Sequence, residues 1–414
     1  MFQLIVQYGA GEREFPKLGY AAQLMNNAGI MGAYEPQELK EELSKLNATC
    51  HVTADEDNLY IIMEGYEATL PQACQLLSRQ ILMPKLDEKQ LARLKGSAMG
   101  MRQQRKDNVR LLTEALRQYM LYGEKSDYIK ELTDKEIYEL QISELTGDIN
   151  RASNYEAKVF FTGTLPFDQV YDILSKNLPL VANERPSNSP QAKEMMPVTE
   201  NTVYFLPNND AEQAQIHLYI PMQKADKKDD VLRSAFNQYF GLDFTGIVLN
   251  EIREKRSMAY TAYAFVGTQG IAGKASYLRG YIGTQNDKAN DALDVLMSLV
   301  NDMPKNPERI GNIKSYLRQA MLTSHPSFRN KAMELVDLGY RGYTDDPAKE
   351  NLPKVDALTF DDIVKFYEEN IKGKPYCISI MGNPKDIDLK RLEKFGKVVK
   401  LNERKLFTTK DALF

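Results

Sequence analysis

FNQYFGLDFTGIVLNEIREKRSMAYTAYAF, residues 236 to 265, passes from helical to strand spacing within one stretch. The spacing predicts a helix over Val231–Tyr239, a second over Ile247–Arg256, and then a hairpin of Tyr260–Val266 with Ser276–Gly283 around Gly270 and Gly273. A period of about 3.6 giving way to a period of about 2 is the pattern of helices laid against a sheet. Arg253 and Tyr260 then fall where helix and strand meet, so a guanidinium and a phenol converge on one face of the sheet. Arg offers donors that stay charged and Tyr offers a hydroxyl, and both suit a peptide carbonyl on which negative charge develops. Spacing alone favours a plainer arrangement: a solvated face of Glu251, Arg253, Glu254, Lys255 and Arg256, with Tyr260 a half-buried strand residue.

Outward from this stretch, strands are expected at Thr202–Leu206 and Gln215–Ile220. A helix follows over Asp287–Met303, with Ala289, Ala292, Leu293, Leu296, Val300 and Met303 on one face. The earlier part of the chain reads in a similar order. It gives a strand at Phe2–Tyr8, helices at about Leu18–Ala28 and Pro36–Leu46, and strands near Thr49–Thr53 and Leu59–Met63. Helices at Thr69–Gln80 and from about Glu88 to Tyr122, a strand at Ala157–Phe161 and a helix at Phe167–Leu174 complete it. Both parts close alike, with LTDKEIYEL before a strand ending in Gly163 and LTFDDIVKF before CISIMG ending at Gly382. The fold class is α+β, as two similar domains of about 190 residues, each a mostly antiparallel sheet with helices packed on one face. The domains are expected at 1–182 and 200–414. Between them, 183–199 has linker composition, with Pro186, Ser187, Asn188, Ser189, Pro190 and Pro197.

Of the 414 residues, 43% are hydrophobic and 27% charged, a balance that buries real cores. The net charge of −4 offers no basic surplus for nucleic acid or an anionic membrane, and Lys224, Lys227 and Lys228 run straight into Asp229 and Asp230. Cys50, Cys74 and Cys377 are scattered and odd in number, which predicts buried thiols and no disulfide framework. No apolar run approaches about 18 residues and no charged-then-apolar leader precedes the first strand, so a soluble chain without a targeting segment is expected. Its compartment is not readable. An opening FQLIVQYG that is already a core strand fits one half of something longer.

The string 236–265 resembles the pitrilysin/insulinase family of zinc metallopeptidases, at Asn237, Phe240, Gly241, Arg253 and Tyr260. The likeness covers nearly the whole chain, specifically in 200–300 and weakly in 1–180, and departs at Leu242 and Asp243, where relatives often carry further glycines. Such enzymes bind zinc through His-x-x-Glu-His on a helix, the Glu activating water. In LGYAAQLMNNAGIMGA the corresponding positions are Gln23, Asn26 and Asn27. Amides are poor zinc ligands and Asn is no general base, so an ordinary exposed amide cluster is expected there. The family's third ligand, a Glu, would fall near Met101 to Gln104, yet no carboxylate lies between Gln90 and Lys106. Cys50 and His51 replace an Asn-Ala pair on the substrate-facing strand and, as strand neighbours, point to opposite faces. His51, His217 and His325 are the only histidines, and no two have helical ligand spacing.

The resemblance therefore implies a half-enzyme. Two halves close like a clamshell around a chamber, the other half carries zinc, and this one supplies Arg253 and Tyr260 for substrate binding and transition-state stabilisation in trans. No cofactor is expected on this chain, which alone should not cleave. Its partners would be a zinc-bearing N-terminal half or partner subunit, and a peptide or unstructured polypeptide as endopeptidase substrate. The competing expectation is a non-catalytic scaffold or core subunit of a larger complex, which has little use for the Arg253 and Tyr260 pair.

Overall fold

The computed structural model describes residues 1–105, 108–179, 185–186, 188–242 and 245–408. Asn183 and Ser187 of the expected linker, and Asp243 of the departing pair, lie outside the described residues.

The chain opens with β1 (Phe2–Tyr8), in which all seven residues are buried. A strand buried on both faces must be covered on both. Phe2, Leu4, Val6 and Tyr8 enter the helix-side core, while Gln3, Ile5 and Gln7 are buried on the opposite face. Next come α1 (Leu18–Met25), α2 (Pro36–Lys45), β2 (Thr49–Ala54), β3 (Leu59–Gly65), α3 (Leu70–Leu82), α4 (Glu88–Gln103) and α5 (Val109–Tyr122). Then follow α6 (Asp134–Glu139), α7 (Ile142–Ala152), β4 (Ala157–Thr162) and α8 (Phe167–Asn177). The sheet runs β2-β3-β1-β4 and is antiparallel throughout. The single helix expected over Glu88–Tyr122 is two helices. Asn108 accepts the Leu111 N–H and starts α5 afresh.

The second sheet comes from β5 (Thr202–Pro207), β6 (Gln213–Lys224), α9 (Asp230–Phe240), β7 (Ala259–Thr268), β8 (Ala275–Gln285) and α10 (Ala289–Asn301). α11 (Ile310–Thr323), α12 (Lys331–Tyr340), α13 (Pro347–Ala357), α14 (Phe360–Asn370), β9 (Cys377–Gly382) and β10 (Lys397–Lys400) complete it. Its order is β10-β5-β9-β6-β8-β7, antiparallel except where β5 lies parallel to β9 and β10. The run β9-β6-β8-β7 repeats β4-β1-β3-β2 in order and sense, and β5 and β10 are additions to it. The repeat extends to the helix starts. Thr133 and Thr359, from LTDKEIYEL and LTFDDIVKF, both close capping boxes, with Glu136 and Asp362.

In both sheets an asparagine clamps the edge strand. Asn26 donates to Val52 O at 2.8 Å and accepts the Val52 N–H at 2.7 Å. Asn237 does the same with Val266, at 2.9 and 2.6 Å. The outward groups of an edge strand would otherwise lack protein partners. Asn237→Ala removes two hydrogen bonds from a partly buried site and is expected to cost about 1–3 kcal/mol. A lowered denaturant midpoint and faster amide exchange at Val266 would check this.

Two large cores fill the helix sides of the sheets. The opposite faces are covered from across the chain. α5 crosses to β9 and β6, packing Leu112, Ala115 and Leu116 against Leu206, Met381 and Leu406. In return α12 packs on β4, and Arg329 just before it pairs with Glu64 at 2.8 Å. The second sheet thus carries helices on both faces. No helix among the described residues is long and apolar enough to cross a membrane.

Candidate functional site

The site is built where α9 meets β7. α9 ends at Gly241, where a Cβ would lie 2.8 Å from Val248 Cβ. Without one, the chain comes close enough for Gly241 O to accept the Ala264 N–H of β7 at 3.0 Å. A short helix at Ile247–Leu249 then widens into a π turn over Asn250–Glu254, where one helix to Arg256 was expected. Lys255 N–H reaches five residues back, to Asn250 O, at 3.0 Å. Ser257 follows with a φ of 49°, a left-handed conformation that costs a non-glycine residue about 1–3 kcal/mol. Thr284 then pairs with Ala259 and Gly283 with Thr261, so Tyr260 is the extra residue of a β-bulge.

These irregularities bring Arg253 and Tyr260 together. The guanidinium carbon of Arg253 lies 4.9 Å from the centroid of the Tyr260 ring. Tyr260 is 78% exposed, well beyond half-buried. Arg253 Nε is 3.4 Å from Glu254 Oε1. Neither contact is strong: an exposed cation–π pair is worth about 0.5–1 kcal/mol and an exposed ion pair about 0–1. An incoming carbonyl can therefore take these donors at small cost. The other charges of the turn engage one another, Glu251 pairing with Lys255 at 2.6 Å and with Arg256 at 2.5 Å. Hydrogen bonds from Lys255 and Arg256 hold the Glu251 carboxyl below its usual range.

The positions that the resemblance sets against metal ligands, Gln23, Asn26 and Asn27, lie on α1 and just past it. Gln23 and Asn27 are exposed, and Asn27 Nδ2 donates to Gln23 O at 3.3 Å. Both polar ends of the Asn26 amide are committed to Val52. A set of amides so engaged does not fit a zinc ion. Among the described residues, no group of three or more His, Cys, Asp or Glu is placed to hold a metal. Gln23 opens on a cleft of about 820 Å³ that Met101 and Arg102 also line. The stretch aligned with the family's third ligand therefore reaches the same cleft as Gln23, but it presents Arg102, paired with Asp134 at 2.5 Å and Glu131 at 3.2 Å. At the cleft edge, loss of water and repulsion by Asp55, Glu56 and Asp127 push the Glu12 carboxyl up to about 7. Cys50 packs against the first core while His51 is exposed, and burial pushes the Cys50 thiol up to about 12.

One cluster escaped the sequence reading. Tyr277, Arg279 and Tyr281 alternate along β8, and buried His217 and Ser379 lie beside them. The alternation was a visible signal, but its neighbours come from distant strands.

Residues 153–314 match the family model described as the peptidase M16 inactive domain. No curated protein matches. Among solved structures, the periplasmic protease PqqL from Escherichia coli is 13% identical with a TM-score of 0.71, over 92% of this chain and 43% of that one. A peptidase M16 inactive domain from Pseudomonas fluorescens is 17% identical with a TM-score of 0.72, over 94% of each chain. The ferredoxin protease FusC, in complex with Arabidopsis ferredoxin, is 12% identical with a TM-score of 0.72, over 92% of this chain and 42% of that one. The chain spans less than half the length of PqqL and FusC, and nearly all of the Pseudomonas domain. At these identities the likeness is one of fold.

Proposed function

We propose that the chain is a zinc-less member of the M16, or pitrilysin/insulinase, peptidase family, whose inactive-domain model matches residues 153–314, and that it is the non-metal-binding half of a zinc endopeptidase. In this reading 1–182 and 200–414 are its two domains, joined by 183–199, and it closes a chamber with a zinc-bearing half or partner subunit. That partner would bring the metal and the activated water. Arg253 and Tyr260 would donate to the carbonyl of an extended, unstructured peptide and to the charge that grows on its oxygen.

The observation that carries this reading is the exposed, stacked Arg253 and Tyr260 pair, framed by a π turn, a left-handed serine and a bulge. Strained backbone of this kind persists where a side chain must be aimed, and a scaffold has no evident need for it. The test mixes the purified chain with a metal-bearing partner half from the same source and follows a quenched fluorescent peptide. Cleavage is expected in the mixture alone, abolished by a chelator, and absent from this chain even with added zinc. If the mixture cleaved equally well with Arg253→Ala and Tyr260→Phe combined, the scaffold reading would replace this one.

A further inference from the structure

The second sheet carries a cluster of side chains that neither the Arg253 and Tyr260 pair nor either core uses. On one face of β8 stand Tyr277, Arg279 and Tyr281. Arg279 is opposite Tyr219 of β6 and Phe265 of β7, and Tyr281 is opposite His217 and Tyr263. α5 covers this face over β9 and β6, and Tyr263, Phe265, Tyr277, Arg279 and Tyr281 beside it stay half-buried. The rings form a connected row. Centroids are 5.8 Å apart for Tyr263 and Phe265, 5.2 Å for Tyr263 and Tyr281, and 5.0 Å for Tyr281 and His217.

Within this row the charge is one-sided. Among the described residues no carboxylate pairs with Arg279, and its Nε is buried without a hydrogen-bond partner. The nearby Arg117 is engaged by Glu114, with Nε 2.8 Å from the carboxylate. His217, 5% exposed, also has an unpartnered Nδ1. Burial and the charges of Arg279 and Arg117 push its pKa down to about 3, so it is neutral and adds no second cation at ordinary pH. His217, Arg279, Arg117, Tyr219 and Tyr277 share a small void of about 10 Å³, room for about one water. A guanidinium has donors only, and one held among aromatic rings without a counter-ion is poised to take an anion.

We propose that this face is a subsite for a carboxylate of the bound peptide, with Arg279 as its ion-pairing group and the Tyr263, Phe265 and Tyr281 rings receiving the flanking apolar side chains. The proposal rests on the reading that the chain binds extended peptides, and adds a substrate class to it. Phe265, opposite Arg279, lies five residues beyond Tyr260 on β7. At about 3.3 Å per residue, the carboxylate would sit roughly five residues from the carbonyl held at Arg253 and Tyr260. An acidic side chain and a free C-terminus both present that group.

Three labelled peptides distinguish the sources, measured by fluorescence anisotropy with the full chain and no metal partner. One carries a glutamate and an amidated C-terminus, one has neutral side chains and a free C-terminal carboxylate, and one is neutral and amidated. At least one carboxylate peptide is expected to bind tenfold or more tightly than the neutral peptide. Arg279→Gln should abolish that preference and Arg279→Lys should retain part of it. If Arg279→Gln does not fold, the Lys variant and the loss of the wild-type preference in high salt decide. Equal binding of all three peptides, no binding at all, or a preference that survives Arg279→Gln overturns the proposal. Because the preference is read on the full chain without a metal partner and needs no turnover, its failure is distinguishable from failure of the half-enzyme reading.

Discussion

In the proposed two-part enzyme, replacing Tyr260 by Phe is expected to lower turnover by about 100- to 1,000-fold, with substrate affinity little changed. The substitution keeps the ring on which Arg253 stacks at 4.9 Å, and it keeps the bulge, which depends on backbone pairing with β8. Only the hydroxyl is lost, and a hydroxyl donor counts most when the carbonyl oxygen carries its greatest charge. The signature is therefore a fall in kcat and kcat/KM together. Arg253→Ala should add a rise in KM, because a guanidinium also holds the uncharged carbonyl. Arg253→Lys should rescue little, since an ammonium has neither the planar fork nor the stacking face. Initial rates across a substrate series for each reconstituted variant are the measurement, and an unchanged kcat for Tyr260→Phe would remove the hydroxyl from the chemistry.

The largest stability loss is expected at Asp230. This carboxylate is 8% exposed and opens α9, the helix that carries Asn237 and ends at Gly241. It accepts from Arg233, from Arg341 at 2.7 Å and from the Tyr343 hydroxyl at 2.8 Å. Asn351 in turn donates to that hydroxyl at 3.0 Å. Burial, with the bond to Asp230 among the lesser causes, pushes the Tyr343 phenol up to about 12. Asp230→Ala leaves two guanidiniums and a phenol facing an empty acceptor position, for which about 3–5 kcal/mol is the usual cost. Asp230→Asn keeps one acceptor oxygen and should cost less. Denaturant titration of the full chain with a common m-value is the check, and equal midpoints for Ala and wild type would show that the network adds nothing net.

Much of this fold is legible in the sequence, because most elements announce themselves by period and cap. Strand β1, the β7–β8 hairpin and α10 lie within about two residues of their expected spans, and the two capping boxes mark the repeat. The misses have physical causes. Apolar spacing continues from α4 into α5, so only the cap at Asn108 betrays the break. A π turn leaves no trace in hydrophobic period, because it alters the hydrogen-bond reach and leaves the apolar face in place. β10, a short Lys-flanked strand, gains its identity only from its parallel partner β5. At the site, helix-to-strand spacing alone favoured a solvated face with a half-buried Tyr260, and only the likeness of the whole string 236–265 pointed to an Arg253 and Tyr260 pair. The exposure of Tyr260 was not legible, since it depends on a bulge whose register is set by residue 284. Arg279 was invisible as a lone cation because its isolation is a fact about β6 and β7.

The crossing of α5 and α12 also bears on what joins the two sheets. Each unit leaves a part of itself seated on the other, like two people with linked arms, so the covalent connection around residue 190 is not their principal bond. Prying the sheets apart would uncover Leu116 and Met381 and break the Arg329 and Glu64 pair. The unit with the Gln23 cleft and the unit with the Arg253 and Tyr260 pair are thus pinned to each other at two places.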